Sequence, residues 1–109
     1  MMPKQKQLNL LGLATRARCL VSGDEMVEKA IKNNQVNVVI CASDASESTR
    51  ERYIGMCERN NVPLNLTFTK YEISHAIGKS RTICAINNRG MTKKFLSYVT
   101  GAEQHEIND

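Results

Sequence analysis

Residues 36–42, VNVVICA, constrain the fold more than any other segment of the chain. Apart from Asn37 they are apolar, mostly β-branched, and they fill both alternating sets of positions along a strand. A strand with two apolar faces has to be covered on both sides, because removing apolar surface from water is what stabilises it. The segment therefore predicts a central strand in a sheet that lies between two layers.

Helical and strand patterns alternate along the rest of the chain. Helices are predicted over residues 3–18, 22–33, 44–57, 69–78 and 91–99, and further strands over residues 19–21, 64–68 and 82–86. This alternation is typical of an α/β domain with helices on both sides of one sheet. At 109 residues the chain suits one domain, which we predict over residues 1–100, followed by a polar, disordered tail over residues 101–109.

Local signals predict several helix ends. Residues 22–25 (SGDE) and 69–72 (TKYE) have the Ser/Thr-x-x-Glu form of a capping box, in which a hydroxyl and a carboxylate satisfy free N–H groups at a helix start. Gly78 suits the left-handed conformation that ends many helices. Leu10, Leu13, Ala14 and Ala17 repeat at helical spacing, which predicts that the chain opens with a helix ending near Arg18.

The chain carries no membrane or metal signature. No apolar run approaches the roughly 18 residues of a membrane helix, and residues 1–7 are unlike a signal segment. The cysteines form no Cys-x-x-Cys pair and have no histidine nearby, so neither a metal nor a redox site is expected. We predict a cytoplasmic protein without cofactors, in which each cysteine is a small buried hydrophobe: Cys19, Cys41, Cys57 and Cys84.

Positive charge is concentrated in one part of the chain. The formal net charge is +4, and between residues 70 and 94 a single acid, Glu72, stands against six bases: Lys70, Lys79, Arg81, Arg89, Lys93 and Lys94. A basic face attracts a polyanion, although the same run occurs equally often as a plain solvated surface. The charge distribution therefore favours neither nucleic-acid binding nor an ordinary solvated surface over the other.

No set of residues predicts an active site. Catalysis needs a nucleophile with its base, paired carboxylates or metal ligands at suitable spacing. His75 and His105 have no carboxylate or cysteine partner in sequence, and the glycines stand singly rather than in a phosphate-binding loop. We therefore predict that the protein is not an enzyme.

Two loops could bind a ligand. In residues 22–29, free N–H groups at a helix start could donate to a phosphate or a base, and Gly23 would let another backbone approach closely. A capping box with a Glu25–Lys29 ion pair explains the same residues. In residues 78–83 (GKSRTI), two cations and two hydroxyls suit a sugar-phosphate backbone, although an ordinary polar turn has the same composition. Local sequence alone does not choose between these alternatives.

Taken together, these residues resemble the kink-turn-binding ribosomal protein superfamily that includes archaeal L-seven-Ae and eukaryotic L-thirty-e, and most closely its bacterial YlxQ branch. The most specific part is residues 11–18 (LGLATRAR) followed by residues 21–23 (VSG). Shared more widely are residues 29–31 (KAI), 38–40 (VVI) and 76–78 (AIG). The resemblance implies a three-layer α/β/α sandwich with a mixed four-stranded sheet, and recognition of kink-turn RNA by the start of the second helix.

The family reads RNA with a Gly-x-Asn-Glu-x-x-Lys motif, and this chain matches it only in part. Gly23 and Lys29 match, whereas Glu25 stands at the Asn position and Met26 at the Glu position. An amide that donates and accepts is thus replaced by a carboxylate, and a carboxylate by a thioether. Asp24 and Glu25 also place negative charge where phosphates would arrive, at a cost of about 0.3 to 1 kcal/mol each.

The leading hypothesis is a monomeric, ribosome-associated protein that recognises structured RNA, with kink-turn RNA as one candidate. We expect these residues to face the RNA: Gly23, Asp24, Glu25, Met26, Lys29, Lys32, Lys79, Ser80, Arg81 and Thr82. Arg16, Arg18 and Arg89 are expected to widen the basic patch. The alternative, motivated by Glu25 and Met26, is a protein-interaction module of the same fold that has lost the RNA site and docks on ribosomal or transcription-related proteins.

Overall fold

The computed structural model describes residues 3–98, so the predictions for Val99 and for the tail lie outside the described residues. Helices and strands alternate throughout this range. Their bounds are α1 Pro3–Arg16, β1 Leu20–Ser22, α2 Asp24–Lys32, β2 Val38–Cys41, α3 Glu47–Arg59, β3 Leu64–Asn65, α4 Lys70–Ile77, β4 Ile83–Ile86 and α5 Arg89–Ser97. Each predicted element is present, with ends shifted by a few residues.

The four strands form one mixed sheet in the order β1-β4-β2-β3. Strand β4 runs antiparallel to both β1 and β2, and β2 runs parallel to β3. Every residue of β2 and β4 is buried. Residues 36–42 therefore contain a central strand, as predicted, although its ladder covers only Val38–Cys41. The predicted mixed four-stranded sheet is confirmed.

Alternate residues of β2 enter two separate cores. Val38 and Ile40 pack on the side of α1, α4 and α5, whereas Val39 and Cys41 pack on the side of α2 and α3. The β4 strand divides in the same way. Both faces are covered because both carry apolar side chains, which confirms the predicted α/β/α sandwich.

Strand β3 is shorter than predicted. It ends at Asn65, whose Oδ1 accepts hydrogen bonds from Thr67 N at 3.1 Å and Thr67 Oγ1 at 3.0 Å. An asparagine side chain that accepts a hydrogen bond from the backbone N–H two residues later favours a turn over continued pairing in the sheet. The alternating pattern of residues 64–68 gave no sign of this turn.

The predicted first helix is present, but only part of its apolar repeat is buried. Leu13 is 44% exposed and Ala17 is exposed, whereas Gln7 and Leu11 are buried with Leu10 and Ala14. The buried face is rotated relative to this repeat because α1 packs against neighbouring helices as well as the sheet, and Gln7 Nε2 donates to a carbonyl oxygen of α5 at 3.1 Å. Tertiary contacts of this kind are invisible in the spacing of α1 itself.

Gly12 lets α1 approach α4 closely. A Cβ atom added at Gly12 would lie 3.1 Å from the carbonyl oxygen of Ala76, which is tighter than most real contacts. The two helices thus touch backbone to backbone at this point, and a groove runs between them on the outer surface.

The cysteines behave as predicted with one exception. Cys41, Cys57 and Cys84 are buried, whereas Cys19 is only partly buried at the turn before β1. Burial raises the pKa of the Cys57 thiol to about 11 and that of Cys84 to about 12. These buried thiols stay protonated near neutral pH and act as small apolar side chains.

The predicted capping box at the start of α4 is confirmed. Thr69 Oγ1 accepts from Glu72 N at 3.1 Å, and Glu72 Oε1 accepts from Thr69 N at 2.9 Å. The hydrogen bond from the Thr69 backbone lowers the pKa of Glu72. At the other end of α4, Gly78 takes the left-handed conformation with φ 81°.

We expect Thr69→Ala to lower the free energy of unfolding by about 1 kcal/mol, because the first turn of α4 loses its hydroxyl cap. Urea denaturation measures this change, with Thr69→Ser as the control that keeps the hydroxyl. Equal stability of the alanine and serine variants would contradict a role for the cap.

Candidate nucleic-acid interface

Three loops meet at one edge of the sheet. Strand β1 ends at Ser22, which pairs with Cys84 near the start of β4. The loop after β1 is tied to β4 by Gly23 N, which donates to Ile83 O at 2.9 Å. The loop after β2 is tied to the segment before β4 by Ala42 N, which donates to Thr82 O at 2.9 Å. The two loops predicted to bind a ligand are therefore neighbours in space.

The start of α2 differs from the predicted capping box. Ser22 belongs to β1, the N-cap residue is Gly23, and no side chain in the described part of the chain makes a capping bond there. Gly23 has φ 97°, which turns the chain sharply from the strand into the helix. The first-turn N–H groups of α2 are thus left for solvent or an external acceptor.

Arg81 lies beside this uncapped helix start. Ser74 Oγ holds the Arg81 backbone by accepting from its N–H at 3.0 Å and donating to its carbonyl oxygen at 3.1 Å. The side chain lies over Gly23: if Gly23 had a Cβ atom, that atom would be 3.7 Å from Arg81 Nε. Arg81 Nη1 donates to Ser80 O at 2.8 Å. A guanidinium group is therefore held against the N-terminus of α2.

A groove of about 530 Å³ opens between the three loops. It is lined by five predicted site residues (Gly23, Asp24, Ser80, Arg81 and Thr82) and by residues outside the predicted site: Asp44, Ala45, Ser46, Thr49, Lys70 and Ile83. Local sequence gives no sign that the loop after β2 lies beside the other two loops. Asp44 Oδ1 also accepts from Lys70 N at 2.8 Å, which joins the β2–α3 loop to α4.

Asp24, the first residue of α2, points towards α3. Arg52 Nη2 donates to Asp24 Oδ2 at 2.6 Å, and Tyr53 Oη donates to Asp24 Oδ1 at 2.5 Å. The Arg52 hydrogen bond, with a smaller contribution from Tyr53, holds the pKa of Asp24 below its ordinary value of 3.8 against the opposing effect of burial. Burial, followed by the bond to Asp24, raises the pKa of Tyr53.

Arg52 also neutralises a second acid of α2. Its Nη1 donates to Glu28 Oε1 at 2.8 Å, and Lys32 Nζ contacts Glu28 Oε2 at 2.9 Å. The ion pair expected between Glu25 and Lys29 is replaced in the described residues by the pair between Glu28 and Lys32. Lys32, a predicted site residue, is thus engaged within its own helix.

The remaining predicted residues face outward. Glu25, Lys29 and Lys79 are exposed, and Met26 is 60% exposed. Glu25 and Lys29 border a shallow surface along α2, which is next to the groove at Arg81 and shares Asp24 with it. The uncapped helix start lies where these two surfaces meet.

All three arginines expected to widen the patch lie elsewhere. Leu20 pairs with Ile86, so the start of β1 and the end of β4 share the opposite edge of the sheet. Arg18 precedes β1 and Arg89 follows β4, which places both at that opposite edge. Arg16 instead borders the groove between α1 and α4. The expectation of one continuous patch was wrong because sequence does not give strand order.

Within residues 3–98, no group of three or more His, Cys, Asp or Glu side chains could hold a metal ion. None of the helices described for this chain is both long enough and apolar enough to cross a membrane.

The lowered pKa of Asp24 makes part of the stability depend on pH. Its charged form is favoured in the folded state, so this stabilisation is present above the ordinary pKa near 3.8 and is lost as pH falls through the lower folded value. We expect the free energy of unfolding to fall as the pH is lowered from about 5 to about 2, and to fall less in Asp24→Asn. Urea denaturation at each pH measures it. Glu47→Gln, on the exposed first turn of α3, is the control, and an equal effect of both variants would contradict the assignment.

Comparison with known proteins agrees with this architecture. The family model described as "Ribosomal protein L7Ae/L30e/S12e/Gadd45 family" matches residues 5–96. "RNA-binding protein YlxQ" of Enterococcus faecium is 36% identical over 98 residues, covering 90% of this chain and 95% of its own. "RNA-binding protein YlxQ" of Bacillus subtilis is 35% identical over 89 residues, covering 81% of this chain and 89% of its own.

Two solved structures have the same fold. A Bacillus halodurans protein of unknown function superposes with a TM-score of 0.82 at 36% identity, covering 85% of this chain and 95% of its own. The 15.5 kD RNA binding protein of Giardia lamblia has a TM-score of 0.71 at 18% identity, covering 89% and 90%, and is a likeness of fold alone. By the extent of the family match and the identity of its relatives, the chain belongs to the ribosomal protein L7Ae/L30e/S12e/Gadd45 family.

Proposed function

We propose that this protein binds structured RNA, kink-turn RNA included, at the edge of the sheet where α2 begins. The observation that carries the proposal is the uncapped N-terminus of α2 with the Arg81 guanidinium held against it. Family membership and two relatives named as RNA-binding proteins support it. Association with the ribosome, a monomeric state, a cytoplasmic location and action by binding rather than catalysis are parts of the same proposal.

The helix start would hold a phosphate or a base acceptor. Its free N–H groups point out of the helix, and the helix dipole adds positive potential there. Gly23 lets the RNA backbone approach closely because it has no side chain, while Arg81 can bind a phosphate with two parallel N–H groups. Lys29 and Lys79, both exposed, would add phosphate contacts on either side.

The acids of α2 oppose RNA less than their number suggests. Asp24 and Glu28 both pair with Arg52, which leaves Glu25 as the carboxylate of the first turn without an ion pair among the described residues. One exposed charge at a helix start costs about 0.3 to 1 kcal/mol. Several lysine and arginine contacts, each releasing counterions from the RNA, outweigh a cost of that size.

We expect Lys29→Ala and Arg81→Ala each to weaken binding of a standard kink-turn RNA by about tenfold and to reduce the slope of log affinity against log salt by about one. Fluorescence anisotropy across a salt series measures both quantities, with a straight duplex as the second RNA. Lys93→Ala, which removes an exposed cation of α5 that lines neither surface of the proposed interface, is the matched control. Unchanged affinity in both site variants would overturn the proposed site.

The second candidate is a protein-interaction module that has lost the RNA site. It is favoured by the exposure of Glu25 and Met26, which places a carboxylate and a thioether at the centre of the expected reading surface. It predicts co-purification with ribosomal or transcription-related proteins that survives nuclease treatment. Salt-sensitive binding of purified protein to RNA would favour the first candidate instead.

A further inference from the structure

The groove between α1 and α4, of about 640 Å³, has features that the proposed interface does not use. Tyr71 of α4 borders it and is 75% exposed, whereas Tyr53, Phe68 and Phe95 are fully buried. An exposed aromatic ring keeps apolar surface in contact with water, and burying that ring against a partner removes this cost.

Tyr71 is held in position for stacking. Its ring lies parallel to that of His75, one turn further along α4, with centroids 5.9 Å apart and planes inclined by 12°. Pairing on one side leaves the other face of the Tyr71 ring available. A flat, partly immobilised ring of this kind is the usual platform for an unpaired nucleobase.

The charge around the groove also suits RNA. Glu72, the acid at its margin, is neutralised by Lys4, whose Nζ lies 2.9 Å from Glu72 Oε2. Arg16 contributes a guanidinium to the same groove, and Gln5, whose Nε2 donates to Asn9 Oδ1 at 2.9 Å, contributes an amide oxygen that can accept from a base edge. The groove therefore combines an aromatic platform with a cation and a hydrogen-bonding group.

Helix α4 connects this groove to the proposed interface. Lys70 lines the groove at Arg81, and the next residue, Tyr71, lines the groove against α1. Ser74, which holds the Arg81 backbone, lies one helical turn from Tyr71, and side chains at that spacing are about 5 to 6 Å apart. A strand leaving the first groove therefore reaches the second over the surface of a single helix.

We propose that the α1–α4 groove is a second RNA contact, in which an unpaired base flanking the bound motif stacks on the free face of Tyr71. The inference rests on the proposed function, because the same RNA would occupy both surfaces. The stacked base gains affinity with little sequence preference, since every base presents a flat face. Arg16 stabilises the phosphates of the same strand.

The test uses one kink-turn RNA without an extension and two RNAs that carry the same short unpaired extension, one at each end of the motif. Wild-type protein is expected to bind one extended RNA at least fivefold more tightly than the unextended RNA, the lower end of what one stacked base contributes. Tyr71→Ala is expected to abolish this gain and to leave affinity for the unextended RNA unchanged. Tyr71→Phe, which keeps the ring, is expected to retain the gain.

Leu96→Ala, an exposed apolar residue of α5, is the matched control and should retain the gain. Equal binding of extended and unextended RNAs by the wild type would overturn this inference alone and favour a protein as the occupant of the groove. A gain that survives in Tyr71→Ala would also overturn it. Failure of the wild type to bind any of the RNAs would overturn the proposed function and this inference with it.

Discussion

The burial of β2 and β4 on both faces is the constraint on which the rest of the structure depends. Because their side chains are apolar on both sides, helices have to cover both sides, and the chain crosses the sheet repeatedly to place them there. Each crossing ends in a loop at an edge of the sheet. Antiparallel pairing of β4 with β1 and β2 then brings the start of β4 next to the ends of both partners. The proposed interface is a consequence of that pairing.

The parts of the fold that depend on local chemistry could be predicted from sequence. The two-sided strand, the capping box at Thr69 and the left-handed Gly78 each follow from residues close together in the chain. The buried face of α1 could not be predicted, because contacts with α4 and α5 decide it. The capping box at Ser22 failed for a similar reason, since β1 takes Ser22 into its ladder with β4.

The candidate site divides along the same line. Gly23 and Lys29 were selected because they match the motif of the family that the sequence resembles, and the segment around Arg81 because its cations and hydroxyls suit a sugar-phosphate backbone. The groove residues Asp44 and Lys70 were not, since one lies in the loop after β2 and the other begins α4, and their meeting with the other loops depends on strand order. The bond between Asp24 and Arg52 joins residues 28 positions apart, and nothing in either local segment indicates it. That bond turns a residue expected to face RNA towards α3.

The replacement of the family's asparagine by Glu25 bears on specificity more than on affinity. An amide both donates and accepts, whereas a carboxylate only accepts, so Glu25 can meet only base edges that carry N–H donors. Affinity at an RNA interface comes largely from phosphate contacts, which in the proposed interface would be made by the helix start, Lys29 and Arg81. Those groups are unaffected by the exchange. In the proposed interface, the exchange would therefore change which base edges are favoured more than it would change the hold on the RNA backbone.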